Sequence, residues 1–290
     1  MSATPLTWGG RSIPAPGGLP AVAVSLTGPT SAHALTQARR AIDAGADVLE
    51  LRVDLLEETG ALAAPGPLDA ATAAAQVLEC LRGLGEIIAA DGADAGAGAP
   101  LLLTCRTAAE GGQAHLDDAA YGALLRSVLD GLADWAPERR PAAIDVEVQR
   151  GCLPQVCAQA HGLGVDVVAS FHDFEATPAD EVLEEVLARM AREGADLAKI
   201  AVWPTSADDV ARLLGVCARA TAGAGEGADL GVPVAAMSMG ALGAVSRVAP
   251  AFGTALTFAV VPDEQGQARA SAPGQLPIQD VRRCLELLRA

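Results

Sequence analysis

Short apolar runs rich in β-branched residues, each bounded by turn residues, recur along the chain. They stand at "AVAVSLTG" (21–28), "DVLELRVD" (47–54), "PLLLTCRT" (100–107), "AAIDVEVQ" (142–149), "VDVVASFHD" (165–173), "ADLAKIAV" (195–202), "VPVAAMSMG" (232–240) and "TALTFAVV" (254–261). Each reads as a strand. The stretches between them carry helical periodicity, as in "SAHALTQARRAIDAG", "LDDAAYGALLRSVLDGLADW" and "PADEVLEEVLARMAREG", and several open on Ser, Pro or Asp and close on Gly. "PIQDVRRCLELLRA" follows the eighth strand. Eight strands alternating with eight helical segments predict an α/β fold with a parallel sheet and helical crossovers. The count of eight predicts closure into a (β/α)8 barrel rather than an open doubly wound sheet. No GxGxxG follows the first strand, so a dinucleotide-binding fold loses its main support. "TWGGRSIPAPGG", ahead of that strand, reads as a short hairpin or loop closing the bottom of the barrel. A chain of 290 residues fits one such barrel, a single catalytic domain over 1–290.

Two low-complexity stretches, "DGADAGAGAP" (91–100) and "TAGAGEGADLG" (221–231), could pass for linkers or phosphate loops. Each runs from a helix end into the next strand, which puts it on the N-terminal face, away from the face where such barrels do chemistry, and both read as surface loops. The net charge of −16, with no basic run to offset it, argues against nucleic acid as a partner. No window approaches the roughly 20 apolar residues of a membrane span. The six cysteines lack C-x-x-C pairs and zinc spacing, and the N-terminus has no signal-peptide pattern, so reduced thiols in a cytoplasmic protein are expected.

On a barrel, the polar side chains at the C-terminal strand ends converge on one mouth. Here they are Glu50, Arg52 and Asp54 from the second strand, Arg106 and Glu110 after the third, and Asp145 and Glu147 from the fourth. The fifth contributes His172, the sixth Lys199, and Met239 and Arg247 follow the seventh. "ELRVD" could equally be a structural ion-pair layer, and His172 beside Asp173 a capped loop histidine. Met237 and Met239 read as wall or core, and His33, His115 and His161 receive no role. Lys199 is the only lysine among the 20 Lys and Arg residues, so arginine serves everywhere else. Arginine stays protonated and does not readily form an imine; an amine does so once it sheds its proton, which desolvation and neighbouring cations favour. A strand end in a mouth lined with arginine is expected to supply both. A histidine one strand away would be the general acid/base, its ring oriented by Glu110 or Glu147.

The pieces "ELRVD" (50–54), "TCRTAAEGG" (104–112), "DVEVQ" (145–149), "SFHDF" (170–174), "AKIAVWP" (198–204), "MSMGALGAVSR" (237–247) and "SAPGQ" (271–275) stand in order, each at the end of its strand. From about Val22 to Leu288 the chain resembles type I 3-dehydroquinate dehydratase, the Schiff-base-forming enzyme of the shikimate pathway. The resemblance implies elimination of water from 3-dehydroquinate to give 3-dehydroshikimate, with no metal or organic cofactor. It also implies a homodimer. Lys199 matches the imine-forming lysine, His172 the proton-transfer residue and Glu110 the carboxylate that hydrogen-bonds it. Arg247 matches the grip on the substrate carboxylate. Glu50, Arg52, Arg106 and Gln275 match groups that bind the substrate hydroxyls or brace those that do. Ser271 and Gln275 lie in "PDEQGQARASAPGQ", long and polar enough to act as a lid. Trp203 departs from the family pattern and is expected to adjust the pocket wall. Two other functions stay open at this point. A class I aldolase would also use a barrel lysine, and a catalytically silent barrel could bind a ligand without turnover.

Overall fold

The computed structural model describes residues 5–15, 17–64, 66–95, 98–222, 230–263, 266 and 269–289. The chain opens with an antiparallel hairpin, β1 (Leu6–Trp8) and β2 (Arg11–Ile13). Eight parallel strands follow: β3 (Ala21–Leu26), β4 (Val48–Arg52), β5 (Leu101–Thr104), β6 (Ala143–Glu147), β7 (Asp166–Asp173), β8 (Leu197–Val202), β9 (Val234–Ser238) and β10 (Leu256–Val260). Six helices lie between them: α1 (Ser31–Asp43), α2 (Ala70–Ala95), α3 (Asp118–Leu132), α4 (Leu153–Gly162), α5 (Asp180–Arg192) and α6 (Ala207–Thr221). A short β11 (Leu276–Pro277) and α7 (Ile278–Leu287) end the fold.

Each strand pairs with its sequence neighbour from β3 to β9, and β10 returns beside β3. The remaining seam closes where the Ala255 amide donates to the Val234 carbonyl at 2.7 Å and the Ala236 amide to the Thr254 hydroxyl at 3.3 Å. The sheet is therefore the expected eight-stranded barrel. Successive strand residues point to opposite faces, which sorts the apolar side chains into two cores. Val22, Leu49, Leu103, Ile144, Val146, Ile200 and Val202 face outward onto the helices. Ala23, Val48, Leu102, Ala143, Val168, Leu197, Ala235 and Leu256 fill the interior. The hairpin closes the bottom as expected, with Trp8 and Ile13 buried in that inner core and the Trp8 indole donating to Asp166 at 2.7 Å.

Two expectations need correction. Among the described residues no α-helix joins β9 to β10; the crossover holds two 3-10 turns, Ala244–Val248 and Pro250–Phe252. Pro250 cannot continue a helix begun at Ala244, and Gly253 at φ +82° turns the chain back. The stretch 91–100 is also not all loop, because α2 runs on to Ala95. Alanine and the stem of the preceding long helix outweigh the glycine there. Residues 96–97 and 223–229, and parts of the 262–275 loop, lie outside the described residues.

Candidate active site

One layer above the apolar plug, the inward positions change character. Ser25 on β3, Glu50 on β4, Thr104 on β5, Asp145 on β6, Ser170 on β7 and Lys199 on β8 follow the inner-core residues two steps earlier on their strands. All six are buried. The period-two alternation that buries Leu197 inside the barrel forces Lys199 inside as well. Its Nζ lies 3.3 Å from Asp145 Oδ2 and 3.7 Å from Glu50 Oε1, over the Phe258 ring at 4.6 Å. The cationic surroundings expected for this amine are therefore corrected: its nearest charged neighbours are carboxylates. Arg52 and Arg106 are engaged with carboxylates of their own.

Glu50 accepts from Thr104 Oγ1 at 3.0 Å and from Ser25 Oγ, and Ser25 in turn accepts from Ser271 Oγ at 2.7 Å. Arg106 is ringed by acceptors: Asp145 Oδ1 at 2.8 Å, Ser170 Oγ at 2.9 Å and Glu147 Oε1 at 3.1 Å. Arg52 and Asp54 form a bidentate pair at 2.8 and 2.7 Å. Asp54 also accepts the Arg106 and Gln113 amides, so it braces the loop after β5. The structural reading of Asp54 holds, and Arg52 combines it with a place on the cavity wall.

His172, at the end of β7, bonds through Nδ1 to Glu110 Oε2 at 2.8 Å. Glu110 closes the 3-10 turn Ala108–Glu110, and Gly111 ends that turn at φ +80°, where a side chain would strike the Phe174 ring. Glu147, the other carboxylate considered for orienting the ring, is occupied by Thr107, Arg106 and Arg150. Burial, together with the charges of Arg106, Lys199 and Arg52, holds the imidazole well below its ordinary value. Burial, with Glu147 and Asp145 adding to it against Arg106, pushes the Glu110 carboxyl up to about 8. Both shifts disfavour charge, so the pair sits uncharged near neutrality. Loss of the Glu110 proton makes Nδ1 the donor and frees Nε2 as a base.

Arg247, in the first 3-10 turn after β9, is 1% exposed. Its Nη2 donates to the Pro273 carbonyl at 3.0 Å while Nε has no partner. Among the described residues no carboxylate pairs with it, and burial alone lowers its pKa to about 10. A buried cation left uncompensated in a cavity wall is a site for an anion. The 271–275 segment folds over the mouth. Ser271 N donates to Gln275 Oε1 at 3.0 Å, Gln275 Nε2 to Ser271 Oγ at 2.9 Å, and Gly240 N to the Pro273 carbonyl at 3.1 Å.

One cavity at the C-terminal end of the barrel is lined by Glu50, Arg52, Arg106, Glu110, His172, Lys199, Arg247, Ser271 and Gln275, the nine residues to which the resemblance gives a role, whereas Asp54, Asp145, Glu147 and Met239 of the expected mouth do not line it. Gly111, Phe174, Ala201, Met237, Phe258 and Ala272 complete the wall. Trp203 is not part of it; its ring lies beside Gly240 and packs against the inner core that includes the wall residues Ala201, Met237 and Phe258. Ser25, Thr104 and Ser170 were not singled out, although their inward parity on β3, β5 and β7 could have found them. Among the described residues no group of three or more His, Cys, Asp or Glu side chains could hold a metal ion. Nor, among them, is any helix long and apolar enough to cross a membrane.

The family model for type I 3-dehydroquinase matches residues 22–290. A curated 3-dehydroquinate dehydratase from Klebsiella pneumoniae is 36% identical over 271 residues, 92% of each chain. A crystal structure of 3-dehydroquinate dehydratase from Geobacillus kaustophilus superposes with a TM-score of 0.80 at 30% identity, covering 99% of this chain and 97% of that one. The type I enzyme from Clostridium difficile, solved with covalently modified comenic acid, gives 0.79 at 28% identity over 99% and 98% of the two chains. By sequence over nearly its whole length, the chain belongs to the type I 3-dehydroquinase family.

Proposed function

We propose that the chain dehydrates 3-dehydroquinate to 3-dehydroshikimate through an imine on Lys199, with His172 as general acid and base. The reading rests above all on one observation: the only lysine of the chain lines the same buried cavity as an imidazole and an unpaired guanidinium. The amine attacks the substrate ketone and loses water to give a protonated imine, an electron sink for the neighbouring carbon. His172 Nε2 removes a proton from that carbon. The electron pair then expels the β-hydroxyl, which takes a proton from the imidazolium and leaves as water. Hydrolysis of the imine releases the product. Arg247 holds the substrate carboxylate with its planar fork, and Glu50, Arg52, Arg106, Ser271 and Gln275 bind or brace around the hydroxyls. The described segment 269–275 acts as the lid.

The same reading takes the chain as one catalytic domain over 1–290, a cytoplasmic homodimer that needs no cofactor. The six cysteines, all unpaired, fit a reducing compartment. The test is borohydride reduction with 3-dehydroquinate present, followed by peptide mass spectrometry. A stable adduct is expected on Lys199 alone, and Lys199→Arg should fold but not turn over. Turnover by that variant, or activity confined to sugar phosphates as for an aldolase, defeats the reading. Sedimentation of the purified protein tests the dimer.

A further inference from the structure

We infer that Asp145 is the fixed counterion of the Lys199 nitrogen, holding the positive charge in place both before and after the amine becomes an imine. The inference rests on the imine reading above. Two carboxylates touch Nζ, and they are not equivalent. Glu50 lines the cavity, within reach of a bound substrate; Asp145 does not line it and is 0% exposed on β6, behind the lysine. Its Oδ2 lies 3.3 Å from Nζ, while Oδ1 accepts Ser170 Oγ at 2.7 Å and Arg106 Nη2 at 2.8 Å. Donors from β7, β8 and the loop after β5 thus fix the carboxylate in one orientation. Arg106 and Lys199, with the Ser170 hydroxyl, also hold it below the usual carboxylate range against the opposing effect of burial.

The covalent step explains why a fixed anion belongs there. An ammonium and a ketone give an iminium and water: three N–H bonds become one, the C=O bond becomes C=N, and the two released hydrogens leave on the oxygen. The charge on nitrogen is +1 at both ends, so an anion behind Nζ serves both and opposes only the neutral amine between them. Keeping the iminium protonated is what makes it an electron sink for the elimination. Glu50, held by Thr104 and Ser25, stands on the cavity side where substrate would meet it. The groups facing Nζ are Asp145, Glu50 and the Phe258 ring, with Arg106 beyond Asp145 and the His172 imidazole on the neighbouring strand close enough to feel its charge.

The test compares wild type with Asp145→Asn, which keeps the shape and removes the charge. Borohydride trapping of 3-dehydroquinate on Lys199 is followed against pH, beside kcat and the melting temperature. The counterion role predicts a trapping midpoint lower by about one pH unit or more and a kcat reduced roughly tenfold or more. A variant that melts lower but keeps the wild-type midpoint would show Asp145 merely bracing Arg106, and overturns the inference. Absence of any adduct in wild type overturns the imine reading itself, and the counterion with it. Should Asp145→Asn not fold, infrared spectra of the imine accumulating in His172→Ala decide. A C=N band that moves down in D2O marks a protonated imine against an anion, whereas a band unmoved by D2O marks a neutral one and refutes the proposal.

Discussion

Replacing Arg247 by methionine separates binding from folding more sharply than any other change in the cavity. The guanidinium is 1% exposed, lacks a carboxylate partner among the described residues, and leaves Nε unbonded. Its fall from 12.5 to about 10 corresponds to about 3 kcal/mol of solvation that folding does not restore. Methionine removes that charge and keeps an apolar stem of similar reach. The one bond lost is the donation to the Pro273 carbonyl, worth about 1 to 2 kcal/mol, and that carbonyl still accepts from Gly240 N. Unliganded Arg247→Met should therefore be more stable than wild type by about 1 to 2 kcal/mol, a rise in melting temperature of roughly 2 to 3 °C for a chain of this size. The same substitution takes away the fork proposed to meet the substrate carboxylate. The KM for 3-dehydroquinate should rise by about two orders of magnitude. Scanning fluorimetry without ligand and initial-rate kinetics with it measure the two effects. A variant that melts below wild type, or one that keeps its KM, refutes the picture of an uncompensated cation waiting for an anion.

Four further outcomes follow from the geometry. His172→Ala should still give the borohydride adduct on Lys199, while turnover falls by about 10²- to 10⁴-fold; rapid turnover in that variant would move the proton-transfer role elsewhere. Glu110, raised from 4.5 to about 8, binds a proton in the folded state that the unfolded chain has released, so its contribution to stability is lost as pH rises through that window. His172, depressed below 6.5, acts in the opposite sense below that value, which leaves 6.5 to about 8 as the range where Glu110 acts alone. Over that range wild type should lose about 2 kcal/mol relative to Glu110→Gln, and urea titrations with parallel pH dependence would contradict the shift. Turnover should rise with pH as the pair gives up its proton, with an apparent pKa belonging to the pair. Gly274 sits at φ +82°, and a side chain there would meet the Gly240 carbonyl at 2.3 Å. Gly274→Ala should raise KM by lifting the 271–275 segment off Arg247 while changing the melting temperature little; an unaltered KM would mean the segment does not close on substrate.

The sequence made the strands, the barrel and the membership of the cavity legible, because each depends on local pattern. A period-two alternation that buries Leu197 also buries Lys199, and a glycine pair after Glu110 marks a turn. What stayed hidden is who pairs with whom. Asp145 faces Lys199 across β7, and Arg106 reaches Asp145, Glu147 and Ser170 from the far side. Those meetings depend on the stagger between strands, which sets Asp145 opposite Val168 but Ser170 opposite Lys199. Listing polar strand ends therefore suggested a lysine among arginines, and the register produced a lysine among carboxylates. The crossover after β9 was misjudged for a different reason. "GALGAVSRVAPAF" has alanine enough to suggest a helix, yet its glycines, its β-branched valines and Pro250 limit it to two short turns.

That register has a consequence for how the cavity divides its charges. Arg52 is answered by Asp54, Arg106 by Asp145 and Glu147, and Lys199 by Asp145 and Glu50. Each of these cations carries its anion inside the protein, so a carboxylate arriving with the substrate gains little by approaching them and would meet the carboxylates they hold. Among the described residues lining the cavity, Arg247 alone offers a guanidinium without a carboxylate partner. On the proposed reading the anion is drawn to one end of the cavity, and the ketone of a ring acid held there is left for the amine. Orientation then follows from which cation lacks a partner rather than from the number of cations present. A second unpaired arginine in the mouth would have made two binding poses similar in energy.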